Sequence, residues 1–227
     1  MQIFEFQPVS IHRELNPKLW ENERLRKDVN RALMRIAGEF YKFLNVDAEL
    51  EDILITGSQV NYNYGPKSDL DLHLVIDFTS VDCEGGAREL FDTKRALWHQ
   101  EHDITIHGID VECYVEDIND TTVSATYSLL RSKWLEKPEP VSIDYDINLV
   151  RKIVQKWEDR IDRAIESGSL AKCRNTRAQL KAYRVKSLAQ DGEFGPGNMA
   201  FKTLRNTEYI SRLMSAIRAL NDRRLSI

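Results

Sequence analysis

The sequence predicts an α+β protein: a mixed β-sheet core with flanking helices over residues 1–137, then an all-helical part over 138–227. Three observations carry this. Strand-like apolar runs at Asp52–Thr56, Asp69–Asp77 and about Ile104–Val115 alternate with helical periodicities in the first part. Pro138 and Pro140 then interrupt the chain, and beyond Asp144 apolar residues recur at spacings of three and four.

In chain order, Asn16-Pro17 opens a helical stretch in which Leu19, Trp20, Leu25, Val29, Leu33, Ile36, Phe40 and Phe43 share one face, ending near Asn45. Asp52–Thr56 is a short buried strand that stops at Gly57, and Asn61–Ser68 has the composition of a loop. The next strand, Asp69–Asp77, alternates. Asp69, Asp71 and His73 lie on one face, with Leu70, Leu72 and Leu74 on the other. A helix follows over Ala87–His102, then a strand region with a turn or bulge at Gly108, in which Asp110 and Glu112 share a face. Residues 122–136 read as a short helix through Tyr127, Leu129, Leu130 and Trp134. The last part reads as helices over Ile147–Ile165, Leu170–Leu188 and 199–225, broken at Asp191–Asn198.

Of the 227 residues, 42% are hydrophobic and 30% charged, the composition of a globular domain with a sizeable core. No apolar run could cross a bilayer, and the N-terminus lacks the pattern of a secretory signal, so a cytoplasmic protein without membrane partners is expected. Cys83, Cys113 and Cys173 are odd in number and far apart, which gives neither a disulfide framework nor a zinc motif. The net charge of −4 hides an asymmetry: Gly168–Ile227 carries 12 Lys and Arg against 4 Asp and Glu, a balance of +8, and the preceding residues carry −12. A basic tail behind an acidic body suits a phosphate-bearing partner, and solvated basic helix faces explain the same letters.

The chemistry-bearing pattern is a strand ending in Gly57-Ser58, a loop of about ten residues, and Asp69-Leu70-Asp71 opening the next strand. Gly57 permits a tight turn and close backbone approach, and the backbone N–H groups and hydroxyl at Ser58 suit the terminal phosphates of a nucleoside triphosphate. Asp69 and Asp71, two apart on a strand, point the same way and can jointly hold Mg²⁺ or Mn²⁺ through hard oxygen ligands. Two such ions stabilise attacking and leaving oxygens in an in-line displacement. A third carboxylate is needed beside the attacking hydroxyl. Asp110 offers one, and Glu112, on the same face, could serve instead.

Ile55-Thr56-Gly57-Ser58, Ser68-Asp69-Leu70-Asp71-Leu72 and Ile109-Asp110-Val111 together resemble the three motifs of the DNA polymerase beta nucleotidyltransferase superfamily, over about residues 50–117. The longer string from Gly57 to Tyr64 and from Ser68 to His73 is similar to uncharacterised nucleotidyltransferase-like proteins of phages and bacteria. The resemblance implies a nucleotidyltransferase-type sheet, dependence on Mg²⁺, and transfer of a nucleotidyl group from an NTP such as ATP to a hydroxyl. It leaves the acceptor open among a protein, a small molecule and an RNA 3′ end.

Lys67 in the loop before Asp69, and Lys202 and Arg205 just inside the last helical stretch, are candidate phosphate contacts; the basic helices after Gly168 are then expected to form a second wall of the site. The competing account of each is a solvated surface cation. His73 could line the site or sit at a sheet edge, and the second is favoured. His99 and His102 have ligand-like spacing without an acidic or Cys partner at recognised metal spacing, which favours surface or packing roles. A non-catalytic module that binds and senses nucleotides is the rival from another class. The adjacent like charges of Asp69 and Asp71 argue against it.

Overall fold

The fold is described from a computed structural model, which covers residues 11–81, 83, 86–120, 124–139 and 146–226. Chain contacts divide it into two compact units, one spanning Ser10–Val141 and the other containing Ser142–Ile227. Among the described residues the first is a mixed α/β unit with a six-stranded sheet and two helices, and the second contains four helices.

The first unit begins with a two-stranded hairpin, β1 (Trp20–Glu21) and β2 (Arg24–Leu25), followed by helix α1 (Lys27–Leu44). The helix expected from Pro17 therefore starts ten residues late. Asn16 accepts from the backbone of Lys18, Leu19 and Trp20, and Asn22 and Glu23 both adopt positive φ, which turns the chain back on itself. Leu19, Trp20 and Leu25 are buried as the periodicity requires, but by a turn and a hairpin.

The sheet comprises β3 (Leu50–Thr56), β4 (Leu70–Ile76), β5 (Thr105–Ile106), β6 (Ile109–Asp117), β7 (Thr126–Ser128) and β8 (Lys133–Glu136), in the order β5-β6-β4-β3-β7-β8. β3 and β4 are antiparallel, while β4 and β6 are parallel and joined through helix α2 (Ala87–Glu101), the crossover a parallel pair requires. Leu70, Leu72, Leu74 and Ile76 on one face of β4 share a core with Val29, Leu33 and Phe40 of α1 and Phe91 and Trp98 of α2. The opposite face carries Asp71 and His73, so the alternation read from the sequence sets which face bears the chemistry. Gly108 is a turn residue: with His107, also at positive φ, it closes the β5–β6 hairpin.

Over the described residues 124–136 the expected helix is replaced by the β7–β8 hairpin; residues 122 and 123 lie outside the described residues. The side of β3 away from β4 offers its backbone groups to β7, which pairs with it at Leu54↔Ser128 and Ile55↔Tyr127. The buried carboxylate of Asp52 accepts from the Ser128 hydroxyl at 2.7 Å, and Trp134 stacks on Trp20 at 4.7 Å between ring centroids. These long-range partners outweigh a local pattern that mimics helical spacing.

The helical unit consists of α3 (Ile147–Glu166), α4 (Leu170–Asp191), α5 (Pro196–Asn206) and α6 (Tyr209–Leu225) around its own core of Val154, Trp157, Ile161, Leu180, Met199 and Leu204. The single helix expected over 199–225 is two, separated where Glu208 takes a left-handed φ of 66°. Of the boundary prolines, Pro138 is described and Pro140 lies outside the described residues.

Candidate active site

Thr56, the last residue of β3, pairs with Asp71 on β4, and Asp71 in turn lies beside Glu112 on β6. The three-strand register therefore places the Gly57-Ser58 turn and two carboxylates at one end of the sheet. Asp69 enters from the loop immediately before β4. Carboxylate oxygens of Asp69, Asp71 and Glu112 all lie within 4.8 Å of one another, each side chain half-buried. Three carboxylates this close repel unless a cation lies among them, and an all-oxygen donor set of this kind suits Mg²⁺ or Mn²⁺.

Asp110, the expected third carboxylate, is replaced in that group by Glu112. Both point to the same side of β6, but Asp110 pairs with Thr105 in the β5–β6 hairpin and is exposed. Two residues along a strand is about 6.6 Å, and the register spends that distance carrying Asp110 past the end of β4. The sequence shows which face the two acids share. It cannot show the offset between non-adjacent strands.

Glu112 is held. The Tyr114 hydroxyl donates to Glu112 Oε2. Burial, with the Asp71 carboxylate nearby, pushes the Tyr114 phenol well above its ordinary value, so it remains a donor. Its ring stacks on His73 at 4.8 Å, and the Arg95 guanidinium lies over it at 4.8 Å. His73 is fixed from both nitrogens, with Nδ1 2.9 Å from Glu116 and Nε2 3.3 Å from the Thr56 hydroxyl. It supports the sheet face beside the carboxylates from an interior strand, β4, and not from the sheet edge expected for it. Tyr114 was missed because its part depends on reaching a residue two positions away on the same face.

Gly57 adopts φ 81°, and a Cβ built there would stand 2.2 Å from Asp71 Oδ2. Only glycine lets the turn approach this carboxylate. Ser58 begins a single 3-10 turn, Ser58–Val60, and is 8% exposed. The loop that follows is packed: Gln59, Asn61, Tyr62 and Asn63 are all buried. Gln59 is its anchor and another residue that sequence reading missed. Its side chain accepts from Asn16 Nδ2 at 2.8 Å and donates to the Ser68 carbonyl at 2.7 Å, while its own carbonyl accepts from the Trp20 indole at 2.9 Å. One side chain thus fixes the spacing between the Gly57-Ser58 turn and Asp69. Lys67 is exposed, two residues before Asp69.

The remaining candidates are on or beside α2 and α5. His99 accepts the Cys113 backbone N–H at 2.9 Å, capping the side of β6 beyond the reach of β5, and burial lowers its pKa. His102 packs against Trp98 at 3.8 Å, so the helical histidine pair has packing roles. Lys202 and Arg205 lie on α5 in the helical unit. Lys202 is buried, its ammonium 3.5 Å from Glu193, and desolvation pulls its pKa down to about 8. Lys202, expected as a phosphate contact with a solvated surface cation as the competing account, is thus a buried ammonium beside Glu193. Arg205 is half-buried beside it.

Comparison with known family models, curated proteins and solved structures returns no match for this chain.

Proposed function

We propose that the chain is a divalent-metal-dependent nucleotidyltransferase of the polymerase beta type, moving an NMP from an NTP to a hydroxyl with release of pyrophosphate. The observation that carries this is the convergence of Asp69, Asp71 and Glu112 beside a glycine turn that approaches Asp71 too closely for any side chain. In this reading Asp69, Asp71 and Glu112 hold Mg²⁺ or Mn²⁺. The ion supplies Lewis-acid stabilisation of charge on the transferring phosphoryl group. The Gly57 backbone and the Ser58 hydroxyl bind the β- and γ-phosphates. Tyr114 occupies Glu112 Oε2, which leaves Oε1 to take the proton of the acceptor hydroxyl. Catalysis rests on positioning and preorganised electrostatics, which a packed loop and a stacked Tyr114 favour. The three cysteines are free thiols, consistent with the cytoplasmic location that belongs to this reading.

The test is a thermal shift with ATP, CTP, GTP and UTP, each with and without Mn²⁺, alongside pyrophosphate release. Metal-dependent stabilisation by an NTP that disappears in Asp69→Asn/Asp71→Asn is expected. Stabilisation indifferent to metal would turn the reading towards a nucleotide sensor, and no response to any NTP would end it.

A further inference from the structure

The helical unit carries a feature the transferase chemistry does not use. α3 segregates its charges. Asp162 faces α6, where Arg212 pairs with it at 2.9 Å, and Glu158 has its pKa raised by burial and by the neighbouring Asp162 and Asp159 carboxylates. The α4 side of α3 is basic. Lys156, Arg160 and Arg163, at helical spacings of four and three, line a shallow groove of about 530 Å³ together with Lys172 of α4. The lining holds no carboxylate. Among the described residues neither Lys156 nor Lys172 has an acidic partner, and the Arg163 guanidinium donates only to the Asp159 backbone carbonyl, at 2.9 Å.

Two further properties separate this groove from an ordinary solvated basic face. Arg160 is held in place: its guanidinium lies 4.4 Å over the Trp157 ring and hydrogen-bonds to Gln179 of α4. A guanidinium restrained in this way loses little entropy on meeting a phosphate. Of the rest of the lining, Asn175, Thr176 and Gln179 supply neutral amide and hydroxyl groups beside the cations, and Ala164 is apolar. That combination, cations for phosphates with neutral hydrogen-bonding groups for sugar and base edges, is the one polynucleotides need. Lys156 to Arg163 spans about 10 Å of helix, the run of about three phosphates on a stacked strand. The neutral groups beside the cations can reach base edges, which a single strand leaves open and a duplex closes by pairing.

We infer that the α3–α4 groove is a docking site for a single-stranded polynucleotide, gripped through its phosphodiester backbone by Lys156, Arg160, Arg163 and Lys172. Binding stands independently of the transferase reading; only naming the strand as the acceptor rests on it. The surplus of +8 in Gly168–Ile227 steers such a ligand to this unit of an otherwise acidic chain.

The experiment is fluorescence anisotropy of the full chain with a labelled 12-nucleotide RNA, the DNA of the same sequence, and their duplexes, across a salt series. Poly-glutamate and vesicles containing phosphatidylserine are the competing anions. Wild type should bind the single strands with log K falling against log salt at a slope of about −3, roughly −0.7 per phosphate contact. Lys156→Ala/Arg163→Ala/Lys172→Ala, all exposed positions, should flatten that slope by about 2 and weaken binding at least about tenfold. Arg218→Ala/Arg223→Ala/Arg224→Ala removes the same charge from exposed positions on α6 and should change affinity less than about threefold. A preference for RNA over DNA would identify the strand as RNA, and equal binding would identify the backbone alone as the ligand; both support the groove. It is overturned by equal losses in the two triple variants, by no binding at low salt, or by tighter binding of duplex, poly-glutamate or vesicles. The NTP and Mn²⁺ thermal shift on the same wild-type sample reports on the transferase reading separately.

Discussion

At the scale of single residues, the exchange of Asp110 for Glu112 makes the sharpest prediction. Glu112→Gln should lower nucleotidyl transfer by at least about a hundredfold, the cost of one charge-stabilising contact at a reacting centre. Asp110→Asn should stay within about threefold of wild type, measured as pyrophosphate release at saturating NTP. The reverse ranking would return the third position to Asp110. Gly57→Ala should fail for two separable reasons. A φ of 81° costs a residue with a Cβ about 1–2 kcal/mol, and the methyl group collides with Asp71 Oδ2. Weakened Mn²⁺ affinity by more than about tenfold is expected, with the melting temperature lowered by a few degrees. A variant that melts lower yet binds Mn²⁺ normally would show that the close approach serves the fold alone.

At the scale of elements, the segment from Gly57 to Asp69 behaves as a packed plug, with Gln59 as its pin. Gln59→Ala would strand the Asn16 amide and the Ser68 carbonyl in a buried setting, at about 1–3 kcal/mol for each unsatisfied group. Urea unfolding should show a loss of about 2–4 kcal/mol, and activity in the folded fraction should fall as Asp69 drifts from Asp71. The same scale explains the two helices that were misread. Leu19, Trp20 and Leu25, and later Tyr127, Leu129 and Trp134, have the spacing of a helical face because a hairpin around a tight turn also returns side chains to one core. Periodicity reports burial. It does not distinguish the two ways of achieving it when a segment is short and its partner strand is distant.

At the scale of the whole molecule, the two units have separate cores and opposite charge balance. Lys202 gives the helical unit a pH signature. Its pKa falls from 10.5 to about 8 on folding because burial penalises the ammonium more than Glu193 compensates. Below about pH 8 both folded and unfolded chains carry the proton and the burial cost is fully present. Between pH 8 and 10.5 the unfolded chain binds more protons than the folded one, so this residue's contribution to stability rises with pH, by on the order of 3 kcal/mol in all. Wild type measured against Lys202→Met by denaturant unfolding should gain stability relative to the variant as pH rises across the window. A flat difference would mean that Lys202 keeps its charge solvated. No helix among the described residues is long and apolar enough to cross a bilayer.

The sequence by itself determined the face of the sheet that bears the carboxylates, the glycine turn before them, the helical second half and the charge asymmetry. Each is a property of neighbours in the chain: a period of two, a period of three to four, a residue without a Cβ, a count of charges. Only the tertiary structure decided that Glu112 and not Asp110 meets Asp69 and Asp71, that Tyr114 and Gln59 hold the arrangement, that Lys202 is buried, and that the cations of α3 and α4 share one groove. Those facts turn on register between strands, on contacts between residues far apart in the chain and, for Tyr114, on the direction a side chain takes along its own strand. A one-dimensional pattern fixes direction on an element but not the offset between elements, which is set by how the two cores pack.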